Sequence, residues 1–115
     1  MTMTDEDRLR AGVVAVMRAM DARGLNRGTS GNVSARLGEA MLVSPSGVPP
    51  ERLTPDAVVR VEADGSTPAG SLKPSSEWRM HWRLLALRPD CNAVVHCHSR
   101  HATIPVSYTH LRAHE

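Results

Sequence analysis

A chain of 115 residues with 41% hydrophobic content has room for one domain and is too apolar for a disordered segment. Aromatic residues are 3% and Phe is absent, so the core must be built from Val, Leu, Ala and Met. The net charge of +2 comes without any run of five or six like charges, which excludes a nucleic-acid footprint and leaves an anionic small molecule as a compatible partner.

The N-terminus, MTMTDEDRLR, lacks an apolar signal core, and no later apolar run reaches membrane-spanning length. Two cysteines, Cys91 and Cys97, do not make a disulfide framework. A soluble cytoplasmic protein is expected, with no membrane and no nucleic acid among its partners.

The first predicted element is an amphipathic helix over 5–23. Thr4 is its N-cap, and Asp5, Glu6 and Asp7 lie in the first turn, where the helix dipole favours negative charge. Leu9, Val13, Val16, Met17 and Met20 recur at helical spacing, and Gly24 is the stop. A Gly-rich loop, Gly28 to Asn32, follows. Val33–Leu37 and Met41–Ser44 read as strands joined by a hairpin turn at Gly38 and Glu39. Pro45, Gly47, Pro49 and Pro50 mark an ordered loop. Thr54, Pro55 and Asp56 begin a short helix, and Val58–Glu62 alternates as a strand before the Asp64-Gly65 turn. Ser75 or Ser76 caps a helix running to Leu87, with Trp78, His81, Trp82 and Leu85 on one face. Pro89 ends it. Ala93–Cys97 reads as a buried strand, and Ser99 as the start of another helix. Strands alternating with helices predict a layered α/β domain.

Three constellations could carry chemistry. In a strand, residues i and i+2 share a face, so His96 and His98 can offer two imidazoles to one divalent metal, zinc being the default; the pair is otherwise two polar residues at a strand end. Cys97 points to the opposite face and is expected in the core, and His101 is a weak third ligand. Ser75 and Ser76 precede Glu77 at a helix start, where free backbone N–H groups and two hydroxyls suit a phosphate or serve as ordinary caps. Glu77 there is either a dipole-favoured carboxylate or a proton carrier. Thr29-Ser30-Gly31-Asn32 and Ser44-Pro45-Ser46-Gly47 are either turns or anion-contacting loops.

The succession TSGNVS, SPSG, PSSEWRMH and VVHCHS resembles the class II aldolase/adducin family over residues 8 to 104. That resemblance implies a three-layer α/β/α domain with a central, largely antiparallel sheet. It implies that Asn32, Ser46, Gly47, Ser75 and Ser76 hold a substrate phosphate, that Glu77 is the catalytic acid/base, and that His96 and His98 are two of three histidines on one Zn2+ per site. The metal's task would be to polarise the carbonyl of a hydroxyketone and to stabilise the enediolate. The implied activity is zinc-dependent, reversible retro-aldol cleavage of a ketose 1-phosphate, fuculose 1-phosphate-like, to dihydroxyacetone phosphate and an aldehyde, in a cytoplasmic homotetramer. Related family activities are a sugar-phosphate 4-epimerase, a dehydratase or a decarboxylase. A non-catalytic adducin-like module is the reading outside enzymology, and Glu77, His96 and His98 argue against it.

The family domain is about twice this length, and its third zinc histidine has no counterpart here. Residues 1–104 are therefore read as a partial domain. Residues 105–115, from Pro105 through Tyr108 and His110 to Glu115, resemble a string that ends unrelated sequences where adapter DNA has been translated, and are read as a non-native tail. The chain as written is expected to be an inactive fragment.

Overall fold

The computed structural model describes residues 3–25 and 30–97. Expectations placed on Gly28, Thr29, His98, Ser99, His101 and the segment 105–115 lie outside them.

Helix α1 spans Asp5–Ala22, and its start is fixed by a reciprocal pair of bonds. The Thr4 hydroxyl accepts from the Asp7 N–H at 3.0 Å, and the Asp7 carboxylate accepts from the Thr4 N–H at 3.2 Å. At the other end Gly24 takes φ +68°, a left-handed conformation that glycine enters without a Cβ penalty, and the Leu25 N–H closes onto the Met20 carbonyl. The buried stripe is Val13, Val14, Met17 and Met20. Val16, expected on that stripe, is 37% exposed and faces away from it.

The sheet has strands β1 (Asn32–Leu37), β2 (Ala40–Val43), β3 (Val59–Val61) and β4 (Ala93–His96), in the order β3-β2-β1-β4, with every pair antiparallel. Gly38, at φ +58°, turns the β1–β2 hairpin where the sequence places it. Helix α2 (Trp78–Leu87) covers the other face. Leu42, Val33 and Ala35 pack with α1, whereas Met41, Val43, Val59 and Val61 pack with Leu85 of α2. Helix, sheet and helix therefore form three layers, as expected.

The short helix predicted from Thr54 is a 3-10 turn, Pro55–Ala57, whose Thr54 side chain makes no cap bond, and a second 3-10 turn, Pro50–Arg52, precedes it. Their carbonyls are bound by α1: Arg10 donates to Pro55 and Val58, and Arg18 donates to Leu53 at 2.9 Å. Arg36 similarly donates to the carbonyls of Leu85, Arg88 and Cys91, closing the C-terminal end of α2 onto the sheet. The charges of Arg10, Arg18 and Arg36 are thus spent on backbone carbonyls and say little about a ligand.

Two expectations need correction. Helix α2 begins at Trp78 with Glu77 at the N-cap position, not at Ser75 or Ser76. Strand β4 is not buried: Val95 is 53% exposed. Among the described residues β4 is an edge strand, and α1 packs chiefly over β1, leaving the outer side of Val95 uncovered.

Candidate active site

The segment after β2 and the segment before α2 are zipped together. The Ser46 N–H donates to the Lys73 carbonyl and the Ser75 N–H to the Ser44 carbonyl, each at 2.9 Å, around a bridge between Pro45 and Pro74. This brings two distant serine-rich motifs side by side. Gly47 sits at φ +73°, a conformation that a side chain would strain although open space surrounds it. The Ser75 hydroxyl is buried and accepts from the Glu77 N–H at 3.2 Å, which sets the turn that leads into α2.

Ser30, Gly31 and Asn32 enter β1 beside these two segments. The Ser44 hydroxyl accepts from the Val33 N–H at 3.1 Å and fixes that approach. The result is a polar cleft of about 350 Å³ lined by Ser30, Asn32, Ser46, Gly47, Ser76 and Glu77, with Gly31, Pro45 and Ser75 completing it. Hydroxyls, an amide and glycine backbone at one end of a helix are suited to an oxyanion. Lys73 and Arg79 flank the neighbouring surface, next to Ser46 and Ser76, and add positive charge there. Asn32, Ser46, Gly47, Ser75 and Ser76, singled out from the sequence for phosphate, all line this one cleft.

Glu77 closes the cleft on one side. Its Oε2 lies 2.5 Å from His96 Nδ1, with both side chains about one-third exposed. Asn32 and His96 are cross-strand partners on β1 and β4, which is why their side chains share a face. An imidazole beside a carboxylate fits a divalent metal in the kind of donor it offers. His98 lies outside the described residues, and no group of three metal-capable side chains gathers among the described ones. Cys97 packs against the α1 side of the sheet, as its alternation with His96 requires.

Sequence reasoning placed His81 on one face of α2 with Trp78, Trp82 and Leu85, and it is fully buried. What spacing could not show is its bonding. His81 Nδ1 lies 2.6 Å from the Ser34 hydroxyl, and Nε2 makes a short hydrogen bond with Asn32 Oδ1. Burial pushes the pKa of His81 down to about 4; His96 adds to that effect, and Glu77 opposes it.

Three layers around an antiparallel sheet, with a polar cleft and a carboxylate–imidazole pair at one end, define an α/β/α domain with a single candidate site among the described residues. The Class II Aldolase and Adducin N-terminal domain family matches residues 11–112, and the chain belongs to that family. The 5-methylthioribulose-1-phosphate/5-deoxyribulose-1-phosphate aldolase of Rhodospirillum rubrum is 44% identical over 96 residues, covering 84% of this chain and 43% of that protein. The L-fuculose phosphate aldolase of Escherichia coli is 42% identical over 99 residues, covering 86% and 46%. A solved L-fuculose 1-phosphate aldolase superposes with a TM-score of 0.79 at 28% identity, covering 89% of this chain and 48% of that one. The chain spans about half the length of the curated relatives it matches.

Proposed function

We propose that this chain carries the phosphate-binding and proton-transfer half of a metal-dependent aldolase acting on a ketose 1-phosphate. The observation that carries the reading is the convergence of both serine motifs and Asn32 on one cleft that ends at the Glu77–His96 pair. The relatives named above act on methylthioribulose, deoxyribulose or fuculose phosphates. Each of these ketose 1-phosphates yields dihydroxyacetone phosphate on cleavage between C3 and C4, so the phosphate end is common to all and the aldehyde end varies.

In this reading the hydroxyls of Ser46, Ser75 and Ser76, the Asn32 amide and the backbone at Gly47 hold the phosphate and fix where C3 lies. His96 and His98 would hold a divalent metal, for which Zn2+ is the proposed ion. The metal supplies Lewis-acid polarisation of the substrate carbonyl when bound. When the C3–C4 bond breaks, the C4 hydroxyl passes its proton to Glu77 and the electron pair stays on the dihydroxyacetone phosphate half. Glu77, at the cleft wall, returns a proton to C3. In the reverse direction it removes that proton. Cytoplasmic location and assembly as a homotetramer belong to the same proposal, and sedimentation of the whole protein tests the latter.

The decisive measurement is turnover of Glu77→Gln in the whole protein. Glu77→Gln is expected to retain its metal and to lose on the order of 10²–10⁴ in kcat. Near-normal turnover would remove Glu77 from the chemistry. Analysis of the products separates cleavage from epimerisation, dehydration and decarboxylation.

A further inference from the structure

We infer that His81 is a positioning residue, acting through Asn32 to turn the donor side of that amide toward an anionic ligand in the cleft. The inference rests on the phosphate reading of the cleft and adds a residue that the reading does not use.

His81 is fully buried in the first turns of α2, with one ring nitrogen facing Ser34 of β1 and the other facing Asn32 of the same strand. Ser34 and Asn32 are two residues apart and therefore present on one face of the sheet, the face that α2 covers. A neutral imidazole carries one N–H donor and one acceptor nitrogen. Two arrangements of this triad are chemically complete. In one, the Ser34 hydroxyl donates to Nδ1, and Nε2–H donates to Asn32 Oδ1. In the other, Nδ1–H donates to the Ser34 hydroxyl, and Nε2 accepts from the Asn32 NH2.

The two arrangements differ in what Asn32 offers the cleft it lines. Where Oδ1 is bound to His81, the polar group left for the cleft is the NH2, a donor that an anion accepts from. In the other arrangement the cleft is given a carbonyl oxygen, which repels an anion. The structure has Oδ1 on Nε2, the donor-presenting arrangement. Low-dielectric burial keeps the ring neutral near pH 7, so a single tautomer is required.

The ligand class this selects is a dianionic oxyanion of the phosphomonoester kind. Asn32, Ser46, Ser75 and Ser76 are uncharged groups able to donate, Glu77 is the one carboxylate in the lining, at its side wall, and Lys73 and Arg79 supply positive charge only from the rim. In such a cleft the orientation of one amide decides between attraction and repulsion.

The test begins with the unmodified protein. Long-range 15N–1H correlation of the histidine rings at pH 7 reports which nitrogen of His81 bears the proton. Protonation at Nε2 is expected; protonation at Nδ1 overturns the inference without recourse to any mutant. The second arm titrates inorganic phosphate into the wild type, His81→Gln and His81→Leu. Glutamine can place an amide N–H near the position of Nε2, whereas leucine cannot. His81→Leu is expected to bind phosphate about tenfold more weakly, the usual size of one lost hydrogen bond to a charged group, and His81→Gln to recover most of that loss. A folded His81→Leu that binds phosphate as the wild type does would overturn the positioning role. A wild type with the Nε2 proton but no phosphate binding would instead overturn the reading of the cleft beneath it.

Discussion

Acid should destabilise this fold through His81 before it does so through the carboxylates. The imidazole is buried, and desolvation is the largest cause of its low pKa, about 4 against an ordinary 6.5. Its hydrogen bonds do not oppose protonation strongly, because Nδ1–H could donate to the Ser34 hydroxyl and Nε2–H to Asn32 Oδ1. The opposing quantity is the cost of a charge in the space between α2 and the sheet. Between the two pKa values the unfolded chain binds more protons than the folded one, so stability rises with pH across that window. The contribution is fully present above pH 6.5, falls as pH drops toward 4, and levels off below. Its total is about 3 kcal/mol, a large share of the stability of a small domain. Glu6, held below the usual carboxylate range chiefly by its hydrogen bond from Arg10, loses its share at lower pH. Urea unfolding of the wild type and His81→Leu, at intervals from pH 7 to pH 4, isolates the effect as a difference between two profiles. The wild type should lose about 3 kcal/mol more than the variant across that range. Parallel profiles would show that the buried imidazole is not what acid attacks.

Two further outcomes follow from the cleft. Ser75→Ala combined with Ser76→Ala should raise KM for a phosphorylated ketose by roughly a hundredfold or more, since each hydroxyl lost from a charged ligand costs about 1.5–3 kcal/mol; an unphosphorylated analogue assayed alongside should change little, and equal effects on both would reduce the pair to a structural turn. Gly47→Ala should cost about 1 kcal/mol in thermal or urea unfolding from backbone strain alone, because a Cβ at φ +73° meets no atom within 4 Å, and Gly47→Asn should cost less; an unchanged midpoint for the alanine variant would disprove the strain.

The parts of the fold legible in the sequence are those set by local chemistry. Thr4 and Gly24 bounded α1 because caps act within a few residues of themselves. Gly38 marked the hairpin for the same reason. The strand β4 was misjudged as buried because an apolar run reports preference and not neighbours: nothing in Ala93–Val95 tells that α1 packs over β1 instead. Arginine roles were hidden too. Arg36 sits in a strand and looks solvated, yet its partners are carbonyls 49 to 55 positions downstream. The candidate site residues were legible only as motifs, and what joins them is the pairing of the Ser44–Ser46 and Lys73–Ser75 backbones, a non-local event. Spacing put His81 on one helix face with Leu85, but a helical period carries no information about which polar atoms a buried ring will meet.

One face of the sheet shows why polar residues are tolerated in so small a core. Under α2, the β2 and β3 positions are Met41, Val43, Val59 and Val61, all inaccessible to solvent. On β1 and β4 the same face carries Asn32, Ser34 and His96, and α2 meets them with His81. The layer therefore turns polar toward the Asn32–His96 ends of β1 and β4, while Val94 still packs with the apolar cluster, and that polar end is the end that opens into the cleft. A purely apolar replacement of Asn32, Ser34 and His81 would avoid the desolvation cost of three polar side chains and would be expected to stabilise the domain or leave it neutral. The same replacement would remove the groups that orient the cleft. Polar burial in this layer is thus tied to what it presents at its edge, with the two ring nitrogens of His81 bonded to Ser34 and Asn32 on the neighbouring strand.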